Sequence, residues 1–411
     1  MNATRNPFAL GAGSQPPELV GRDQIIEDST VALQRIKQGR SDRGHLLLGL
    51  RGVGKTVLLN RIESIAQSNG YLTTLFEAPE EGRLAEILVP RLRMLLIKLS
   101  RRERAKDLAT KGLRVLRGFA SAFKVSIGAV ELGIAAEEGV ADSGNLEIDL
   151  PEMLIAVAEA AKIDDAGVAI LIDEVQYLSG HELGALIVAT HRISQKNLPV
   201  VLFGAGLPQI AGLAGEAKSY AERLFRYPTV GPLSRPDAME AIRKPLENEG
   251  VAIEPAALDQ IVTETQGYPY FLQEWGHHAW DVAKTSPITT ADVEDARIGV
   301  LAQLDSDFFK VRFDRLTTRE KDYMRAMADL GPGPHRSGAV AKQMGNTVGQ
   351  AGPLRNALIK KGMIYSGEYG KTSFTVPMFD AFMRRSMPGW SPRVNRKNRV
   401  TKHPKPGRKS R

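Results

Sequence analysis

Between residues 18 and 231, short apolar runs alternate with longer stretches whose apolar positions recur every three or four residues. His45 to Leu48, Tyr71 to Phe76, Val168 to Ile172 and Val200 to Phe203 are largely apolar runs of strand length, the pattern of strands buried on both faces. The helical periodicity between them predicts an α/β layer around a mainly parallel sheet. Leu84, Leu88, Leu92, Leu95 and Leu99 form one apolar stripe, a core-facing helix side. The opposite side carries Arg91, Lys98, Arg101 and Arg102, either a solvated face or a polyanion contact. Residues 123 to 134, FKVSIGAVELGI, partly alternate around a central glycine and predict a hairpin. Residues 1 to 18, rich in Asn, Pro, Gly and Ser, read as an extended arm on this first domain.

After Pro232 the pattern turns helical. Ser234 precedes one helix, Pro255 opens a second, Pro269 a third, and Thr289 with Asp292 starts a fourth. A further unit begins at the Thr317/Glu320 capping box. Gly331 to Pro334 break that helix, Ser337 starts a short one, and Val348 to Lys361 form a longer one ended by Gly362. Two short runs, Met363 to Ser366 and Lys371 to Val376, then bracket the turn Gly367 to Gly370. Three helices followed by a β-hairpin predict a winged helix-turn-helix.

Composition narrows the setting. The chain has 411 residues, 43% hydrophobic and 25% charged, which favours two to four domains over one core. No run approaches the roughly 20 apolar residues that span a bilayer, and the opening segment lacks an apolar signal core. Membrane spanning and secretion are therefore not expected. The absence of cysteine excludes disulfide scaffolds, thiol catalysis and cysteine zinc sites. It fits a reducing cytoplasm. The net charge of +8 is unevenly placed. Eleven Lys or Arg and no acid lie in residues 384 to 411, and ten lie in residues 91 to 117 against Glu103 and Asp107, leaving the rest acidic. Such segregation points to a polyanion met at particular places, with a merely solubilising tail as the plainer reading.

The most specific motif is Gly49-Leu50-Arg51-Gly52-Val53-Gly54-Lys55-Thr56, set between an apolar strand and the helical run that begins at Val57. Glycines let backbone N–H groups converge on phosphate oxygens, and the helix N-terminus adds positive potential. Lys55 is expected to bridge the β- and γ-phosphates of ATP and Thr56 to ligate Mg2+. The run ending in Asp173-Glu174 supplies two carboxylates at the C-terminal end of a buried strand, where open α/β sheets bind ligands. Asp173 is the candidate metal residue and Glu174 the candidate general base.

These motifs, with Val20-Gly21-Arg22, LIDEVQYL, Glu222-Arg223-Leu224-Phe225, Gly267-Tyr268-Pro269 and the terminal winged helix, resemble the AAA+ and STAND ATPases, particularly prokaryotic ATPases related to archaeal origin-recognition initiators. The resemblance implies an α/β P-loop NTPase with a parallel sheet and helices on both faces, then a helical lid and a winged helix-turn-helix. It implies that Leu19 to Arg22 line the adenine pocket, that Pro269 meets the base, and that Arg223 acts as an arginine finger toward a neighbouring subunit of an ATP-dependent homo-oligomer. An ordinary surface charge is the plainer reading of Arg223, and Arg226 is the substitute. Two departures stand out: the strand Val200 to Gly206 ends without a polar sensor residue, and the helix after Pro269 has no early arginine. Both point to slow hydrolysis and a nucleotide switch. His277 and His278 fit lid packing better than phosphate contact.

The boundaries that follow are residues 1–231 for the ATPase domain with its arm, 232–303 for the lid, 304–388 for the winged helix and 389–411 for a basic tail. On the long helix of the winged unit, Gln350, Arg355, Asn356, Lys360 and Lys361 are candidate groove or phosphate contacts, with Tyr369 and Lys371 at the wing. With the basic tail, they favour DNA as partner. The alternative is a STAND-type signalling ATPase whose winged helix binds protein. A non-hydrolysing regulator fits poorly with an intact Glu174.

Overall fold

A computed structural model describes residues 1–8, 10, 11, 16, 18–126, 135–366 and 370–392. The chain divides into two units, Met1–Val300 and a second that begins at Leu301. The helices expected as a separate lid therefore belong to the first unit as far as Val300. The hairpin expected at 123–134 falls largely on residues outside the described ones, as do Tyr369 and the tail from Arg393.

The first unit runs α1 (Asp23–Lys37), β1 (Gly44–Leu48), α2 (Lys55–Ser68), β2 (Tyr71–Glu77), α3 (Leu84–Ser100), α4 (Lys106–Ala122), α5 (Leu146–Ile163), β3 (Gly167–Asp173), α6 (Gly180–Gln195), β4 (Val200–Gly206), α7 (Ile210–Ala217), α8 (Ala221–Leu224) and β5 (Phe225–Arg226). The strands form one parallel sheet in the order β2-β3-β4-β1-β5. Their apolar runs are explained by burial on both faces. Leu47, Leu171 and Phe203 meet α1 and α2 on one side, while Leu46, Ile170 and Leu202 meet the large cluster of α3 to α6 on the other. The Leu84 to Leu99 stripe is buried throughout, and Gly112 lets α4 approach α3, since a Cβ there would lie 2.6 Å from Leu96 Cδ2. All four expected strands are present. The sequence reading missed β5, because two residues carry no periodicity.

Four helices follow, each opening where its start signal lies: α9 (Arg235–Asn248) after Ser234, α10 (Pro255–Thr265), α11 (Pro269–Val282) and α12 (Thr290–Gln303). The N-terminal arm differs from expectation. Asn6 and Phe8 lie on α11 rather than on the sheet layer, the Asn6 amide donating to the His277 carbonyl at 3.1 Å and Phe8 buried in the space left by Gly276, while Arg5 and Glu18 pair with Glu249 and Lys244 at α9.

In the second unit, a π-helical segment Leu304–Lys310 leads to α13 (Val311–Asp314), α14 (Thr318–Asp329), β6 (His335–Arg336), α15 (Ser337–Gln343), α16 (Val348–Lys360), β7 (Ile364–Tyr365), β8 (Lys371–Phe374) and α17 (Phe379–Ser386). The strands form a second sheet, antiparallel in the order β6-β8-β7. Capping boxes at Thr317/Glu320 and Thr347/Gln350 start α14 and α16. Tyr323, Met327, Leu358, Phe379 and Phe382 are core. β6 and α17 were not foreseen; α17 exists because Phe379, Phe382 and Met383 complete that core. Among the described residues no helix is long and apolar enough to cross a membrane.

Candidate nucleotide site

The loop 49–54 joins the C-terminal end of β1 to the N-terminus of α2, and three of its glycines are demanded by the backbone. Gly52 and Gly54 have φ of +82° and +89°, conformations that disfavour a side chain. A Cβ on Gly49 would come within 2.3 Å of the Val230 carbonyl oxygen. Lys55 is the first residue of α2 and is nearly buried, its ammonium donating to the Leu50 carbonyl across the loop at 2.9 Å. Burial lowers its pKa, with Glu174 and Asp173 opposing that shift. A buried cation at the first residue of a helix, behind a loop of left-handed glycines, is the kind of setting that suits an anion.

β3 brings the acids to the same edge. The Thr56 hydroxyl donates to Asp173 Oδ2 at 2.5 Å, joining the loop helix to the sheet. Burial raises the Asp173 pKa, while the Thr56 hydrogen bond and the Glu174 N–H on Oδ1 at 2.8 Å pull it down. A buried carboxylate beside a hydroxyl is an all-oxygen donor set of the kind that suits Mg2+. Glu174 has a left-handed backbone, φ +50°, uncommon for a residue with a side chain, and its carboxylate accepts from the Gln176 amide. On the other side Glu77 stands opposite Asp173 in register. Its pKa is raised by desolvation first and by Glu174, Asp173 and Glu80 after it. Arg51 in the loop donates to the Tyr177 hydroxyl at 2.8 Å, tying the loop to the turn after β3.

The remaining predicted residues divide. Pro269 opens α11, and the Tyr270 N–H next to it donates to the Gly52 carbonyl at 3.2 Å, so this helix start does abut the loop. Gly267 fits there because it has φ +71° and a Cβ would meet the Leu233 carbonyl oxygen at 2.5 Å. Val20 and Gly21 precede α1, and Gly21, at φ +68°, faces Asp237, whose Oδ2 would sit 2.7 Å from a Cβ. Arg22 takes a role that the sequence did not suggest. Its guanidinium is buried and donates to the Val53 carbonyl at 3.2 Å and the Gly231 carbonyl at 2.5 Å, clasping the loop to the segment before α9. Desolvation lowers its pKa, and Asp237 acts in the other direction. Val57 lies in the first turn of α2, half-buried. Arg223 is exposed on α8, whereas Arg226 is drawn to Asp28 and Asp42 at 3.6 and 3.7 Å.

The missing sensor residue has a physical reason. The end of β4 is crowded by the turn after β3: a Cβ on Gly204 would lie 2.9 Å from Val175 Cγ2, and one on Gly206 2.2 Å from Gln176 Oε1. The glycines in Gly204-Ala205-Gly206 were the sequence signal that a neighbouring side chain fills this place.

Residues 18–203 match the family model described as AAA ATPase domain. This part of the chain is an AAA ATPase domain. Residues 306–383 match a domain of unknown function, DUF8462. No curated protein sequence matches the chain. Among solved structures it is similar to the Walker-type ATPase PABY2304 of Pyrococcus abyssi, at 17% identity over 92% of this chain and 99% of that one, with a TM-score of 0.58. It is also similar to the Aeropyrum pernix ORC1 protein in complex with DNA, at 16% identity over 90% and 94% of the two chains and a TM-score of 0.43. Thermotoga maritima RuvB, as its A156S mutant, stands at 16% identity, 90% and 95% coverage and a TM-score of 0.45. The first likeness is one of fold, and the five-stranded parallel sheet of the AAA domain is the P-loop ATPase fold.

Proposed function

We propose that this chain binds ATP with Mg2+ and hydrolyses it slowly, as a nucleotide switch that acts with DNA through its second unit. The observation that carries the nucleotide reading is the hydrogen bond from Thr56 to Asp173 beside the buried Lys55. Lys55 and the loop amides would hold the β- and γ-phosphates, and Thr56 and Asp173 would hold Mg2+. The ion, when bound, offsets phosphate charge. Glu174 accepts a proton from water as the water oxygen bonds to the γ-phosphorus. The bond from that phosphorus to the bridging oxygen breaks, leaving ADP and phosphate. Lys55→Ala is expected to lose ATP binding, and Glu174→Gln to keep binding and lose turnover. Parental turnover in Glu174→Gln would remove the general-base role.

For DNA the support is electrostatic. We read α14, α15, α16 and the β7–β8 hairpin as a winged helix. Arg336 and Lys371 are paired in register across β6 and β8, side by side where β8 leaves the turn of the hairpin. Pro392 reaches the turn between α15 and α16, 3.8 Å from a Cβ placed on Gly345, and nine Lys or Arg follow it in sequence. Such an array suits phosphate contacts. The ATPase rate with and without duplex DNA at a stated salt concentration tests this reading; equal rates together with no binding overturn it. One observation favours the alternative, a STAND-type switch with a protein partner. The exposed side of α16 sets Val348, Gly349 and Pro353 among Gln350, Asn356 and Lys360, and Gln350 is turned onto its own helix start, its side-chain oxygen accepting from the Thr347 N–H at 3.0 Å. Arg223 as a finger in a homo-oligomer predicts that Arg223→Ala binds ATP normally without hydrolysing it and regains activity when mixed with Glu174→Gln.

A further inference from the structure

Gln176 lies between the candidate base and the end of the neighbouring strand, and both ends of its amide are engaged. Its N–H donates to Glu174 Oε2, and its carbonyl oxygen accepts from the Leu207 N–H at 3.1 Å. Leu207 directly follows β4. Nothing on β4 competes for the position, because Gly206 has room only for hydrogen: a Cβ would stand 2.2 Å from the Gln176 oxygen and 3.3 Å from the Val175 nitrogen. The amide can hold only one way round, since a backbone N–H requires the oxygen and a carboxylate requires the N–H. Glu174 itself begins a tight turn in the left-handed region, so its own backbone leaves the direction of the carboxylate to be set by a partner.

We propose that Gln176 is the positioning residue for Glu174, anchoring the base to the end of β4 where that strand offers no polar side chain of its own. The proposal rests on the reading of Glu174 as general base. The anchor matters because proton transfer needs the carboxylate within hydrogen-bond reach of the water, and a small misplacement costs rate rather than binding. It also links the hydrolytic group to the segment that leads from β4 into α7, so a shift of Leu207 would be felt at Glu174.

The test uses the full chain and measures fluorescent-ATP affinity and steady-state hydrolysis together. Gln176→Met keeps the side chain's length and packing but removes both hydrogen bonds. It is expected to bind ATP within about twofold of the parent while kcat falls about tenfold or more. Gln176→Glu sets a second carboxylate against Glu174 and is expected to move the acidic limb of the kcat profile to higher pH, which a purely structural role would not do. Glu174→Gln in the same series separates the two claims. If it hydrolyses ATP as the parent does, the reading of Glu174 fails, and the positioning role fails with it. If it loses turnover while Gln176→Met keeps parental kcat, the positioning role alone is overturned. A Gln176→Met protein that loses ATP affinity as much as kcat also overturns it, because the residue then supports the site as a whole.

Discussion

The edge of the sheet at the phosphate loop and the surface of α16 were both marked in advance by residue type, yet they turned out differently. At the loop edge two distant stretches of chain meet through the hydrogen bond from Thr56 to Asp173, with Lys55 and Glu174 the adjoining residues. On α16, Arg355 is half-buried with its Nε enclosed, near enough to Tyr323 to act on its hydroxyl. Lys361 is held by the Arg315 carbonyl and Glu320 at 3.0 and 2.7 Å. Thus part of the charge expected to face a partner instead braces the unit. A loop motif dictates its own backbone, because glycines at positive φ leave few alternatives. A helix face acquires its meaning from what packs against it.

The largest effect that could break this comparison is at Lys55. Lys55→Ala is expected to weaken ATP binding at least about a hundredfold, or about 3 kcal/mol, whereas Arg355→Ala leaves ATP affinity unchanged; titration with a fluorescent nucleotide reads both. Equal losses would mean that the two surfaces are not distinct.

A comparable effect is expected at the other end of β1 and appears only with pH. His45 is buried between the Ser29 hydroxyl and the edge of Phe203. Desolvation, helped by Arg226 and Arg43 and opposed by Asp28 and Asp42, lowers its pKa to about 4. The folded state therefore resists a proton that the unfolded chain accepts below about 6.5. Stability should be insensitive to this group above that value and should fall as pH drops from about 6.5 to 4, by at most about 3 kcal/mol. Chemical denaturation of the parent and of His45→Gln across this range should diverge by that amount. Parallel curves would show that His45 is not the group.

Arg22→Ala should cost about 2 kcal/mol of stability, since a buried guanidinium bridging two carbonyls leaves both without a donor. Arg22→Lys should recover only part of this, because the lysine ammonium ends one bond short of the Nη2 that reaches both Val53 and Gly231. Thermal denaturation measures both, and full recovery in the lysine variant would refute the clasp.

The smallest effects sharpen the second unit. Arg336→Ala and Lys371→Ala should each reduce the slope of log affinity for duplex DNA against log salt by about 1. Arg355→Ala should leave that slope alone and lower stability by about 1 kcal/mol. If Arg355→Ala instead lowers affinity on a preferred site more than on random duplex, Arg355 does reach base edges.

Much of this was legible in the chain. Gly49 to Thr56 reads as a phosphate loop from spacing alone. The four long strands read from largely apolar runs, and Ser234 and Thr317 announce their helices through local caps. What was not legible depends on residues far apart in sequence. That Arg22 clasps Val53 to Gly231, that Gln176 fills the space beside Gly206, and that Phe8 lies against Gly276 on α11 are outcomes of which elements become neighbours. Local signals act through backbone preference and periodicity, which a short window of sequence contains. The direction of a polar side chain is decided by which donors, acceptors and empty volumes the packed fold places around it, and only the tertiary structure supplies those.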